Sequence, residues 1–156
     1  MIYYRPNVTC LTDDQLHDLR EAWTALYLLP AAHPHSWFRL AGYHGEPSPY
    51  YCLHGAPGFL TWHRAYLLVF EEALRAMNPS VALPYWNWSS GPTTGVPAPC
   101  REPTYVDRNG DTVPNPLFAG PMPAGAPGTM TARRSDIDST TFGDLDTSAQ
   151  AALEHA

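Results

Sequence analysis

Between Tyr43 and Ser89 the chain carries three histidines, His44, His54 and His63, with Cys52 two residues before the middle one. Three neutral imidazoles can hold a metal while leaving coordination positions open, and imidazole suits copper, iron and zinc alike. His63 lies in a run with helical period, FLTWHRAYLLVFEEALRAM, in which Leu67, Phe70 and Leu74 follow it on one face. That periodicity predicts an inward-facing His63. A buried neutral imidazole needs partners for its nitrogens, so an inward histidine with no acidic residue on its face is a candidate ligand. The competing reading is a core histidine satisfied by an ordinary hydrogen bond. For Cys52 the plain reading is a small buried hydrophobe with an inert thiol.

The flanking elements must bring these side chains together. Gly55, Pro57 and Gly58 break regular structure after His54, holding it on a loop that leads into the helix of His63. Upstream, Pro34 suits a first helical turn. Ser36 to Tyr43 reads as a short helix with Trp37, Leu40 and Ala41 on one side, ending near Gly42 and Gly45, with His44 after its end. An earlier, longer helix is marked by the capping box Thr12-Asp13-Asp14-Gln15, with Leu11 and Leu16 at staple spacing. Leu16, Leu19, Trp23, Leu26 and Tyr27 line one face of it until Pro30. His17 falls off that stripe and reads as solvated. The His63 helix should run to about Met77 and stop at Asn78-Pro79, with Glu71 and Arg75 at the spacing of a surface ion pair.

Val81 to Leu83 reads as a short extended segment, followed by the rings of Tyr85, Trp86 and Trp88, which either fill a core or wall the pocket around the histidines. Nine prolines between Pro92 and Pro127 argue against regular helix there. One hairpin stands out: Thr104-Tyr105-Val106 and Thr112-Val113 flank Asp107 to Asp111, where Asn109-Gly110 suits a primed turn.

The 156 residues suffice for one domain with a sizeable core, and 44% hydrophobic and 12% aromatic content supports one. A net charge of −6 with nine scattered basic residues argues against nucleic acid and against an anionic membrane surface. No apolar run has transmembrane length, and the start, MIYYRPNVTC, lacks a basic segment followed by an apolar one. Cytoplasmic residence is the default expectation. Cys10 and Cys100 are a candidate disulfide pair for an oxidising compartment, but without a visible leader free thiols are the favoured reading.

His44-Gly45-Glu46-Pro47, Cys52-Leu53-His54-Gly55, Phe59-Leu60-Thr61-Trp62-His63-Arg64 and Leu83-Pro84-Tyr85-Trp86-Asn87-Trp88 together resemble the first copper-binding half of the type-3 copper proteins, the tyrosinases, catechol oxidases and haemocyanins. The His-Gly pair, the Cys-x-His pattern and the opening Arg5-Pro6-Asn7-Val8 are most similar to the molluscan-haemocyanin-type branch. The likeness covers roughly residues 5–118 and returns at 142–155; its motifs are long and rarely arise by chance.

Carried over, the resemblance implies that His44, His54 and His63 bind one copper and that Cys52 is joined to a ring carbon of His54 by a thioether. His33 and His35, flanking Pro34, are the alternatives to His44 under a shifted alignment. The implied fold is mainly α: a helical-bundle core, part of an antiparallel four-helix bundle, with long Pro/Gly-rich loops and a small β-hairpin. Helical periodicity independently gives three to five helices. Residues 1–156 are then a tyrosinase-like copper-binding domain, amino-terminal part only.

A second copper would need three further histidines, starting with an HxxxH pair, whereas the only histidine after His63 is His155. The helix-like stretch Asp144 to Ala156 resembles the one that precedes the second site in the family. The expectation is therefore half of a larger oxidase of the tyrosinase or polyphenol oxidase type, its second copper held by another chain or segment and its exposed apolar helix faces marking where that partner sits. Its implied partners are dioxygen and a small phenol, catechol or aminophenol, oxidised to a quinone-type product. The alternatives are haemocyanin-like dioxygen binding and a fragment inactive alone.

Overall fold

The computed structural model describes residues 4–45, 54–87, 95–122 and 129–131. Cys52, Trp88 and the stretch 144–156 lie outside the described residues.

Helix α1 (Asp13–Leu28) starts at the capping box: Thr12 Oγ1 accepts from the Gln15 amide at 3.2 Å and Gln15 Oε1 from the Thr12 amide at 2.9 Å. Two otherwise orphaned donors are satisfied, and Asp13 and Asp14 sit at the positive end of the helix dipole. Helix α2 (Trp37–His44) is capped by Ser36, a fully buried residue whose Oγ accepts from the Arg39 amide at 3.1 Å and donates to the Ala31 carbonyl. Its last residue is His44, so that histidine closes the helix instead of following it; the Gly45 amide donates to the Ala41 carbonyl behind it. Helix α3 (Phe59–Met77) ends as its sequence dictates, with Asn78 forced extended before Pro79.

The core lies where α1 crosses α3 and α2. Leu19, Ala22 and Leu26 of α1 meet Leu40 of α2, Phe70, Ala73 and Leu74 of α3, and Val81 and Leu117. Each fully buried leucine contributes roughly 1.5–3 kcal/mol of transfer free energy. Along α3 this burial stops at Phe70. Towards its amino-terminal half Leu60 is 70% exposed and Leu67 38%, so the apolar stripe continues onto open surface, while Leu68 and Val69 are exposed on other faces of the helix. Among the described residues no helix is long and apolar enough to cross a membrane.

Glu71 departs from its expected surface pairing with Arg75. It is buried, takes two bonds from the Arg5 guanidinium at 2.9 and 3.1 Å, and accepts the Leu83 amide at 2.9 Å. One carboxylate thus ties α3 to the amino-terminal segment and to the extended stretch 81–87, whose Tyr85 backbone pairs with Pro6 and Val8.

The proline-rich region does hold one helical turn, α4 (Ala98–Arg101), begun by Pro97 and Pro99 where a missing N–H is harmless. Strands β1 (Thr104–Val106) and β2 (Thr112–Pro114) pair antiparallel, Tyr105 opposite Val113. The connection is not a primed turn. Only Gly110 has positive φ, +89°, while Asp107 Oδ1 gathers the amides of Asn109 and Asp111 at 2.8 and 3.0 Å. Arg108 fastens this hairpin to α1 through Asp18 at 2.9 Å and Glu21 at 2.6 Å, and Arg20 lies 4.3 Å over the Tyr105 ring. His17, expected in solvent, is consequently half-buried, 5.9 Å from the same ring.

Candidate metal centre

His44 arrives from the end of α2, His54 from the loop before α3, and His63 from the second turn of α3. Their ring centroids form a nearly equilateral triangle, 5.5 Å for 44 to 54, 5.3 Å for 44 to 63 and 5.2 Å for 54 to 63. One nitrogen from each lies within 4.8 Å of the others. Nitrogens bound about 2.0 Å from one metal stand roughly 3.5 Å apart, so the widest separation needs to close by about an ångström. His44 and His63 already meet that spacing, with their Nε2 atoms 3.2 Å apart.

Local chain geometry explains the aim of each ring. Helical side chains lean toward the amino terminus, which sets the His63 ring above the preceding turn, and its Nδ1 lies 2.7 Å from the Phe59 carbonyl. Donating from Nδ1 leaves the Nε2 lone pair for a metal, the arrangement by which a second shell fixes the tautomer of a ligating histidine. Gly55, with φ of +70°, allows the turn that follows His54. Tyr66 donates to the Leu40 carbonyl of α2 at 3.1 Å and places its ring 5.6 Å from His44, joining the two helices at the site.

His63 does not face the packed interior as its periodicity predicts. It is half-buried and turned toward the other two histidines, with Leu67 below it 38% exposed. The rings around the cluster are Phe59, 4.2 Å from His63 and 5.5 Å from His54, and Trp62, 6.2 Å from His44 and stacked on Tyr66. Tyr85, read as a possible wall of the pocket, is 48% exposed and belongs to the Pro6 to Val8 pairing. Phe59, Trp62 and Tyr66 were missed as site residues; the signal was their spacing of four, one and three from His63 on one helix. His33 and His35 contact each other, and it is His44 that joins the cluster.

Desolvation beside these rings, and then the charges that His63 and His54 would carry, hold the His44 imidazole below its ordinary pKa. The neutral, ligating form is favoured. No carboxylate is among the three clustered side chains, a donor set of imidazoles alone that suits copper or zinc and disfavours calcium or magnesium.

Residues 34–152 match the family described as the common central domain of tyrosinase. The chain is 37% identical over 129 residues to tyrosinase HcTyr2 of Hahella sp., covering 69% of this chain and 23% of that protein. It is 36% identical over 127 residues to the A-type haemocyanin units Ode to Odg of Enteroctopus dofleini, covering 76% of this chain and 10% of that protein. In structure it resembles a tyrosinase from Burkholderia thailandensis with a TM-score of 0.68 at 34% identity, over 76% of this chain and 26% of the other. The deoxygenated haemocyanin of Rapana thomasiana gives a TM-score of 0.73 at 26% identity, over 86% of this chain and 34% of the other. The chain spans about a quarter of the length of the tyrosinases it matches.

Proposed function

The chain belongs to the tyrosinase family of type-3 copper proteins, and from that premise we propose that it supplies the first copper site of an oxidase acting on phenols, catechols or aminophenols with dioxygen. The family binds copper, and His44, His54 and His63 are positioned to hold one copper ion. We assign them as its ligands. The observation that carries this reading is their convergence from three separate segments, with one ring nitrogen of each within 4.8 Å of the others.

When bound, copper supplies dioxygen binding and the acceptance of electrons from the aromatic ring of the substrate. The chain's own residues do the rest. The Phe59 carbonyl holds a proton at His63 Nδ1, Tyr66 ties α2 to α3, and the rings of Phe59 and Trp62 pack beside the His63 imidazole and limit its rotation. Cys52 is proposed to form a thioether to His54: the thiol S–H and a ring C–H bond would break, an S–C bond would form, and dioxygen would take the two electrons and two protons as hydrogen peroxide. That link would fix the loop imidazole's orientation.

The second copper is proposed to come from another chain or segment. The exposed Leu60 and Leu67, which share one face of α3, support a partner there, since an exposed apolar face marks an interaction site. Dioxygen carriage is the second reading, favoured by 36% identity to haemocyanin units.

Metal analysis after copper loading tests the assignment. One copper per chain is expected, lost in His54→Ala and in His63→Ala; metal retained with undiminished affinity in both variants would refute it. The isolated chain is expected to be silent in catechol oxidation, and turnover by it alone would overturn the half-site reading.

A further inference from the structure

The histidine site uses neither Cys10 nor Cys100, which stand 90 positions apart in the sequence. Both are thiols in the structure. Cys10 ends the 3-10 turn Val8–Cys10, and Cys100 lies in α4. These two short elements pack against each other, with Cα atoms within 8 Å. Each is about one turn long, so the contact leaves the two cysteines on adjoining turns. A disulfide needs Cα atoms roughly 4.4–6.8 Å apart. Cys10 is exposed, whereas Cys100 is half-buried against the core.

We propose that Cys10 and Cys100 form a redox-linked pair that closes a disulfide between the amino-terminal turn and α4 when the chain meets a low-molecular-weight disulfide such as oxidised glutathione. Accessibility orders the steps. The exposed Cys10 thiolate attacks one sulfur of the oxidant and releases one glutathione thiolate; the Cys100 thiolate then attacks the Cys10 sulfur of that mixed disulfide and releases the second. The two thiol protons end on the two glutathione molecules, so one oxidant disulfide is reduced for each protein disulfide formed. Arg20, a partly buried guanidinium, lies within Coulombic range of the Cys100 sulfur. Once closed, the bridge fastens the entry to α1 onto α4 and the hairpin that follows it.

The test treats the reduced, metal-free full chain with oxidised glutathione and maps tryptic peptides. Peptide 1–20 linked to peptide 76–101 is expected, with both sulfurs protected from alkylation, a thermal midpoint raised by several degrees, and no link in Cys10→Ser or Cys100→Ser. Cys52 falls in peptide 40–64, so its chemistry is read separately. In denaturing urea the linked yield should fall by on the order of tenfold, because only the fold raises the effective concentration of one thiol at the other. Separate glutathione adducts on the two cysteines, sulfurs still open to alkylation, or equal yields with and without urea would each overturn the proposal. None of these outcomes touches the copper assignment.

Discussion

Replacing Glu71 tests whether one buried carboxylate holds three parts of the chain together. Glu71→Ala strands the Arg5 guanidinium, which loses two charge-assisted bonds, and the Leu83 amide, which loses its only described acceptor. Breaking a fully buried pair costs about 3–5 kcal/mol, but the Arg5 side chain is 31% exposed and regains water, so the lower end applies. Allowing for the stranded amide, a loss of about 3 kcal/mol is expected, which at roughly 2–4 °C per kcal/mol lowers the thermal midpoint by about 6–12 °C.

Glu71→Gln keeps the shape and the Leu83 contact but removes the charge, at about 1–2 kcal/mol. The acid limb gives a second check. Arg5 holds the folded Glu71 pKa below its ordinary value, so this stabilisation is fully present above the unfolded pKa and is lost as pH falls through the folded one. Urea titrations of wild type and Glu71→Gln at neutral pH and in acid should show a gap that narrows on acidification. A Glu71→Ala protein within about 0.5 kcal/mol of wild type, or a gap independent of pH, would refute the reasoning.

Four further outcomes follow. A Cβ at Gly120 would meet Tyr27 Oη at 2.8 Å and Trp37 Cζ2 at 2.9 Å, so Gly120→Ala should cost about 1–3 kcal/mol in urea unfolding. Thr12→Ala removes the α1 cap and should cost about 1 kcal/mol, a midpoint shift of roughly 2–4 °C by circular dichroism. Arg108→Ala frees the hairpin from α1; because the contacted groups are exposed, its effect on amide exchange at Tyr105 and Val113 should fade near 1 M salt, where the Debye length is about 3 Å. Copper retention measured against pH should fall below the ordinary imidazole range of about 6.5, since protons compete for the same nitrogens, and His33→Ala should leave that profile unchanged.

Much of the local structure was legible in the chain itself. The Thr12 capping box, the stop at Asn78-Pro79 and the hairpin strands each depend on contacts within a few residues, and those the sequence states directly. Helical period also located the buried face of α3 at Phe70 and Leu74. It could not say what stands opposite that face. His63 therefore looked buried when it turns toward the other histidines, and Glu71 looked like a surface partner of Arg75 when it closes on Arg5, 66 positions away. The primed turn failed for a similar reason: the Asp107 side chain satisfied the loop amides, and Asn109 had no need of positive φ.

Sequence alone determined which atoms are available to bind a metal, because donor chemistry belongs to residue type. Whether they meet depended on how α2 and α3 each pack on α1, with Tyr66 of α3 bonded to Leu40 of α2, and on the loop that returns His54 to the same point. Angular position on a helix is a local property. The distance between two helices is set by every side chain between them, so only the tertiary structure could decide it.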